Sequence, residues 1–249
     1  MKSEFEKHRV LAIIPVYNEV GKIGNVISRF SGALADEIFL IIDYPSQLIV
    51  NEIERAKKTI DVSVKTFKNR QRKGVGYAIR LGISYAISHD FDIIVVMAGN
   101  DKDDPKEIPR FLNEIINNNS DYVQGSRFLP SGYHNGIPLL RKIFVRLYPF
   151  VWSILTKYPC TDVTNGFRAY RTSIFEDKRI NIMQSWLDSY ELEYYIHYKM
   201  IKLGYKVKEV PVSKIYPEDR RNGYTKIHPL NDSWRILRPL FYLSLGLRK

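Results

Sequence analysis

VLAIIPVYNE, residues 10–19, decides the architecture. Positions 10–16 are apolar without alternation, the pattern of a β-strand covered on both faces. The polar triplet Tyr17, Asn18 and Glu19 follows at once, so the strand ends where chemistry begins. Working outward, 21–34 places Ile23, Val26, Ile27 and Phe30 at helical spacing. EIFLIID (37–43) predicts a second strand ending in an acid, 49–59 a helix, and VSVKTF (62–67) a third strand. A further helix is expected over 76–88 and a fourth strand, FDIIVVMA, over 91–98.

This alternation predicts an α/β fold, Rossmann-like, with a mostly parallel central sheet and helices on both faces. Ligands of such sheets sit beyond the carboxyl ends of the strands. The informative positions are therefore 17–19, Asp43, 69–76 and 100–104. Beyond 121 the pattern changes. A short strand, YVQGSRF (122–128), runs into the loop LPSGYHNGIPLL, and 141–156 is amphipathic and aromatic-rich. Segment 161–171 is polar and glycine-containing, 189–203 predicts a helix, and KVKEVPV (206–212) a last strand. No repeat or linker divides the chain. One domain is expected over 1–215, followed by a basic C-terminal extension over 216–249 that contacts a membrane surface or a second subunit.

Composition narrows the class. With 249 residues, 45% hydrophobic and 26% charged, the chain can bury a large core. A single cysteine, Cys160, excludes an intramolecular disulfide framework. The net charge is +11, and 220–249 carries seven Lys or Arg against one acid, Asp232. No nucleic-acid-binding motif is present, so the charge points to an anionic membrane surface or a phosphorylated substrate. No apolar run approaches the ~20 residues of a spanning helix. The opening MKSEFEKHR is too charged for a signal peptide, and a cytoplasmic, peripheral location is expected. PLFYLSLGL (239–247), flanked by Arg235, Arg238, Arg248 and Lys249, reads either as a buried helix or as an interfacial element. The five histidines lack HxxH spacing and no GxSxG elbow occurs, which argues against zinc and serine-hydrolase chemistry.

Taken in order, PVYNE (15–19), the strand-end Asp43, NRQRKGVGYA (69–78), AGNDKDDP (98–105), GSRF (125–128), NGFRAYR (165–171), EVPV (209–212) and TKI (225–227) resemble family-2 glycosyltransferases. The likeness is strongest to the polyprenyl- or dolichyl-phosphate mannosyl- and glucosyltransferase group and spans nearly the whole chain. It implies a GT-A fold, a nucleotide-sugar donor, inversion at the anomeric carbon and a divalent cation. By resemblance, Pro15, Tyr17, Asn18, Glu19 and Asp43 line the base and ribose pocket, while Asn18 and Glu19 as mere helix caps is the alternative. Lys73 and the amides around Gly74 are offered to the diphosphate, or form a plain tight turn.

The departure from that group lies at the strand-four turn. Its usual acidic pair is replaced by Ala98 and Asn100. Either magnesium or manganese is still held, through Asn100, Asp101 and Asp103, or Lys102 supplies the positive charge. Asp103 and Asp104 are candidate bases, or caps of a helix starting after Pro105. Arg127 and Arg168 stand where the group binds acceptor phosphate, although either may instead pair with Asp162. Lys226 sits in a loop expected to close over the diphosphate. The function implied is transfer from a GDP- or UDP-sugar to a polyprenyl phosphate. Transfer to a sugar hydroxyl in cell-envelope glycan assembly, or nucleotide-sugar binding without catalysis, are the other readings.

Overall fold

The computed structural model describes residues 7–137, 139–216 and 231–248. Seven strands form the main sheet: β1 (Val10–Val16), β2 (Glu37–Asp43), β3 (Ser63–Asn69), β4 (Ile93–Val96), β5 (Tyr122–Ser126), β7 (Arg168–Arg171) and β8 (Val207–Pro211). Their order is β3-β2-β1-β4-β7-β5-β8. β1 runs parallel to β2 and β4, β2 to β3, and β5 to β8, whereas β7 is antiparallel to both its neighbours. The α/β expectation holds.

Alternation along β1 divides two cores. Val10, Ala12, Ile14 and Val16 enter one, with Ile38, Leu40 and Ile42 of β2. Leu11 and Ile13 enter the other, with Phe39 and Ile41. Each such side chain contributes roughly 1.5–3 kcal/mol on burial, which explains why the run has no polar position. Helices α1 (Ile23–Ser28), α2 (Gln47–Ala56) and α4 (Ile108–Ile116) cover the first face. Helices α3 (Val75–Ser88) and α6 (Glu191–Lys202) cover the second. α1 is shorter than its sequence suggests because Ser31 and Gly32 follow it; the Gly32 amide donates to Asp61 Oδ1 at 3.1 Å instead of continuing the helix.

Strand β7 was not expected within the polar segment 161–171. It is hidden because its first residue is an arginine that the fold buries, Arg168. A third core forms where α5 (Leu139–Thr156), α6 and α7 (Asn231–Ser244) meet, around Tyr148, Trp152, Val163, Tyr194, Ile236 and Leu240. The C-terminal segment is therefore built into the molecule through α7. Leu240 and Leu243 are buried, as the buried-helix reading of 239–247 expects, while Phe241, Leu245 and Leu247 are exposed.

Two features bear on the site. A small parallel ladder joins β6 (Tyr133–Asn135) to β9 (Ser213–Ile215). On α5, Ile143, Leu147, Phe150 and Ile154 are each more than half exposed. Their spacing places them on one helical face. Among the described residues no helix is long and apolar enough to cross a membrane.

Candidate active site

A cavity of about 690 Å³ opens at the carboxyl ends of β1, β2 and β4. Of the residues singled out in the sequence, Pro15, Tyr17, Glu19, Asp43, Lys73, Gly74, Asn100 and Lys102 line it. Asn18 does not. It takes a left-handed conformation, φ +50°, which asparagine tolerates better than most residues, and Tyr17 and Glu19 on either side face the cavity. The N-cap position of α1 is Lys22, which makes no side-chain capping bond; the Glu19 carbonyl accepts from the amides of Lys22 and Ile23 at 3.1 Å.

Asp43 organises the donor-side wall. Its Oδ1 accepts from Asn69 Nδ2, and its Oδ2 from the amides of Lys73 and Gly74, all at 2.8 Å. These two amides were expected to face a diphosphate, and the structure assigns them to Asp43. The glycines serve a different need. Gly74 has φ +102°, and a Cβ there or at Gly76 would overlap the carbonyl oxygens of Asp188 and Leu187. Their absence of side chain lets 187–189 lie against the start of α3, where the Tyr77 amide donates to the Asp188 carbonyl at 3.1 Å. The guanidinium of Arg72 stacks over the Tyr17 ring at 4.4 Å, giving the wall a cationic, flat-sided edge.

The strand-four turn departs from expectation. Ala98, Gly99 and Asn100 line the cavity, and Asn100 Oδ1 is buried without a hydrogen-bond partner among the described residues. The acids that follow are turned elsewhere. Asp101 accepts from Arg29 Nη2 at 2.6 Å and Asn25 Nδ2 at 3.0 Å. Asp103 accepts from Lys214 Nζ at 2.7 and 2.9 Å. Asp104 caps the short turn at Pro105–Glu107, accepting from the Lys106 amide at 3.1 Å. None of these three lines the cavity. Among the described residues no group of three His, Cys, Asp or Glu is arranged to hold a metal. Of the expected set, Asn100 lines the cavity, while Asp101 and Asp103 are each matched to a cation.

Arg127 and Arg168 are likewise turned inward. Arg127 grips Asp162 through Nε at 2.6 Å and Nη2 at 2.8 Å, and donates to Thr164 Oγ1 at 2.6 Å. Burial alone would raise the Asp162 carboxyl, but Arg127 overcomes it and holds the group below the usual range. Arg168 donates to the carbonyls of Asn165, Glu193 and Val163 at 2.7–3.0 Å and lies 3.4 Å from Glu193 Oε1. Neither arginine reaches the cavity wall. Their expected contact with an acceptor phosphate is replaced by a framework role. Lys226 lies outside the described residues.

Sequence reasoning missed other groups. Lys214, on β9, and Arg235 and Arg238, on α7, line the cavity. Arg238 pairs with Glu191. The two α7 arginines were visible only as part of a basic tail, and no local pattern marks Lys214. Burial raises the Glu193 carboxyl, with Arg168 opposing. Cys160 and His197 approach to 3.4 Å, yet burial pushes the thiol up and the imidazole well down. That pair stays neutral and is no nucleophile.

Comparisons with known proteins place the chain in a family and a fold. The family described as Glycosyl transferase family 2 matches residues 11–178. An undecaprenyl-phosphate mannosyltransferase of Micrococcus luteus is 27% identical over 88% of this chain and 87% of its own length. A UDP-N-acetylglucosamine–dolichyl-phosphate N-acetylglucosaminyltransferase of Methanococcus voltae is 29% identical over 84% of this chain and 86% of its own. Among solved structures, glucosyl-3-phosphoglycerate synthase of Mycobacterium tuberculosis, in complex with Mn2+, UDP and glucosyl-3-phosphoglycerate, superposes with a TM-score of 0.64. It is 13% identical and covers 99% of this chain and 83% of that one, a likeness of fold.

Proposed function

This chain belongs to glycosyl transferase family 2, and from that premise we propose that it moves a sugar from a GDP- or UDP-sugar to a polyprenyl phosphate, with inversion, at a membrane surface. The protein is a glycosyltransferase by family; donor, acceptor and stereochemistry are the proposal. The observation that carries it is the cavity at the carboxyl ends of β1, β2 and β4, lined by Tyr17 and Asp43 and by Lys102, Lys214, Arg235 and Arg238. An aromatic and carboxylate edge suits a base and ribose, and clustered cations suit phosphates.

The acid placements favour a phosphate acceptor. An acceptor phosphate oxygen is already anionic near neutral pH, so it attacks the anomeric carbon without a strong base. The bond from that carbon to the donor diphosphate breaks, its electron pair passing to the leaving oxygen, and the cations offset the charge that develops there. A sugar hydroxyl would need a base, whereas Asp103 is bound to Lys214 and Asp104 caps a turn. The two relatives named for undecaprenyl and dolichyl phosphate act on lipid phosphates by those names, which supports the same acceptor class here. The exposed apolar face of α5, on a helix with Lys142 and Arg146 and no acid, supports contact with an anionic bilayer on its cytoplasmic side.

The test is to supply GDP-mannose, UDP-glucose and UDP-N-acetylglucosamine, each with undecaprenyl phosphate in detergent, and to isolate a lipid-linked sugar with inverted anomeric configuration. Failure of every donor to yield such a lipid, with folded protein and active controls, would refute the proposal.

A further inference from the structure

Asn100, Glu191, Glu193 and Arg238 all line the cavity. Asn100 Oδ1, Glu191 Oε2, Glu193 Oε1 and Arg238 Nε are each buried without a hydrogen-bond partner among the described residues. Buried polar atoms are nearly always met, so open ones gathered around one cavity mark where a ligand completes them. Glu191 and Glu193 stand in the first turn of α6. Glu191 is 1% exposed, and its other oxygen, Oε1, accepts from Arg238 Nη2 on α7. That pair is half made: the guanidinium keeps Nε open and the carboxylate keeps Oε2 open. Glu193 Oε1 lies 3.4 Å from Arg168 Nε, whose hydrogen goes to the Asn165 carbonyl. Gly166, also on the cavity, leaves that oxygen room, since a Cβ there would come within 3.3 Å of it.

We infer that these atoms form the subsite for the transferred sugar, with Glu191 and Glu193 accepting hydrogen bonds from its hydroxyls. A hexose brings several hydroxyls, each able to donate one hydrogen and to accept others. Three acceptors beside one donor match such a ligand, and hydrogen bonds to carboxylates are the strong ones. A hydroxyl at the half-made pair donates to Glu191 Oε2 while its oxygen accepts from Arg238 Nε. The donor diphosphate does not fit here, because it has no hydrogen to give and carboxylates repel its charge. A divalent ion fits no better. Arg238 Nε is a donor, and among the described residues no group of three His, Cys, Asp or Glu is arranged to hold a metal. The cations Lys102, Lys214 and Arg235 line the same cavity and suit the diphosphate, so the nucleotide sugar is oriented with its sugar toward the start of α6. Arg238 also acts as a positioning residue, holding the Glu191 carboxylate from α7 and leaving its second oxygen to the ligand.

The inference rests on the cavity being a nucleotide-sugar site, and the experiment separates the two. Calorimetry in manganese would follow UDP, GDP, UDP-glucose, UDP-N-acetylglucosamine and GDP-mannose binding to the full chain, to Glu191→Gln and to Glu193→Gln. Both substitutions keep the side chain's size and remove its charge. Glu191→Gln retains an oxygen for Arg238, and Glu193→Gln leaves that pair untouched. Each should weaken the sugar nucleotide that the parent binds about 10- to 100-fold, while its nucleoside diphosphate stays within about twofold. Measuring both ligands on one preparation makes the readout their ratio, which a loss of folded protein does not move. Equal weakening of both ligands would assign the carboxylates to the ribose or to an ion on the diphosphate, overturning the inference while sparing the site. Undiminished sugar-nucleotide binding by either variant overturns it as well. If the parent binds a nucleoside diphosphate but no sugar nucleotide, the inference falls; if it binds neither, the site falls with it.

Discussion

The ammonium of Lys214 lies 2.7 and 2.9 Å from the two carboxylate oxygens of Asp103, a residue 111 positions earlier in the chain. Both are at least nine-tenths buried, so each is the other's charge compensation. Removing one partner strands a buried ion. Asp103→Ala is expected to lower stability by about 3–5 kcal/mol, whereas the double change Asp103→Leu with Lys214→Met should recover most of it. Urea unfolding of the three proteins measures this. An Asp103→Ala loss below about 1 kcal/mol would show the pair to be incidental.

Arg127 and Asp162 form the second buried pair, closed at both ends by two hydrogen bonds. Because Asp162 is held below the usual carboxylate range, its contribution is complete above the unfolded value of about 4 and is lost as pH falls through the lower folded value. Arg127→Ala should therefore cost several kcal/mol at pH 7 and progressively less under acid. Nucleoside diphosphate affinity of the protein that remains folded should stay within about threefold, since the guanidinium does not reach the cavity. A selective loss of ligand binding at unchanged stability would restore a direct contact.

His197 gives a pH signature of opposite origin. It is fully buried, joined to the Tyr122 hydroxyl at 2.9 Å, and held neutral well below its ordinary 6.5 by burial and by Arg168. The unfolded chain takes up a proton at this residue below pH 6.5 and the folded one does not. Stability should thus fall by up to about 1.4 kcal/mol per pH unit on acidification from that point. Thermal melts from pH 7.5 to 5.5 should show a shallower slope for His197→Gln than for the parent. Parallel slopes would assign the acid sensitivity elsewhere.

The outer stripe of α5 is open to direct test. Ile143→Ser with Phe150→Ser removes two exposed side chains and no buried ones, so the melting temperature should hold within about 2 °C. Co-sedimentation with vesicles rich in phosphatidylglycerol should drop roughly tenfold, and binding by the parent should weaken with salt. Sedimentation of the parent as a dimer that the double change dissociates would instead identify a second copy as the occupant.

Much of the sheet was legible because burial on two faces leaves an unmistakable record. Through the middle of β1, β2 and β4, as at Leu11–Ile14, Ile38–Ile42 and Ile93–Val96, every residue is buried and apolar, and the loops that follow converge. Asp43 and Asn100 do meet at one cavity. β7 was illegible for the complementary reason. Its Arg168 is buried by donating to the carbonyls of Val163, Asn165 and Glu193, and the Glu193 carbonyl together with the sheet around it lies outside any local window. Asp103 with Lys214 and Arg127 with Asp162 share that character: residue type suggested chemistry, while the partner that converts a charge into framework lies far along the chain. Gly74 and Gly76 depend on a distant segment in the same way. The sequence left a diphosphate-facing loop and a plain tight turn both open around Gly74, and the backbone that Gly74 and Gly76 admit is that of 187–189.

Helix α7 carries Trp234 and Phe241 on its outside and Arg235, Ile236 and Arg238 along the cavity. One rod thus belongs to the exterior and the interior at once. A ligand that shifted this rod from the chamber side would, by reciprocity, have its affinity changed by the same factor as that of any partner held on the outer side.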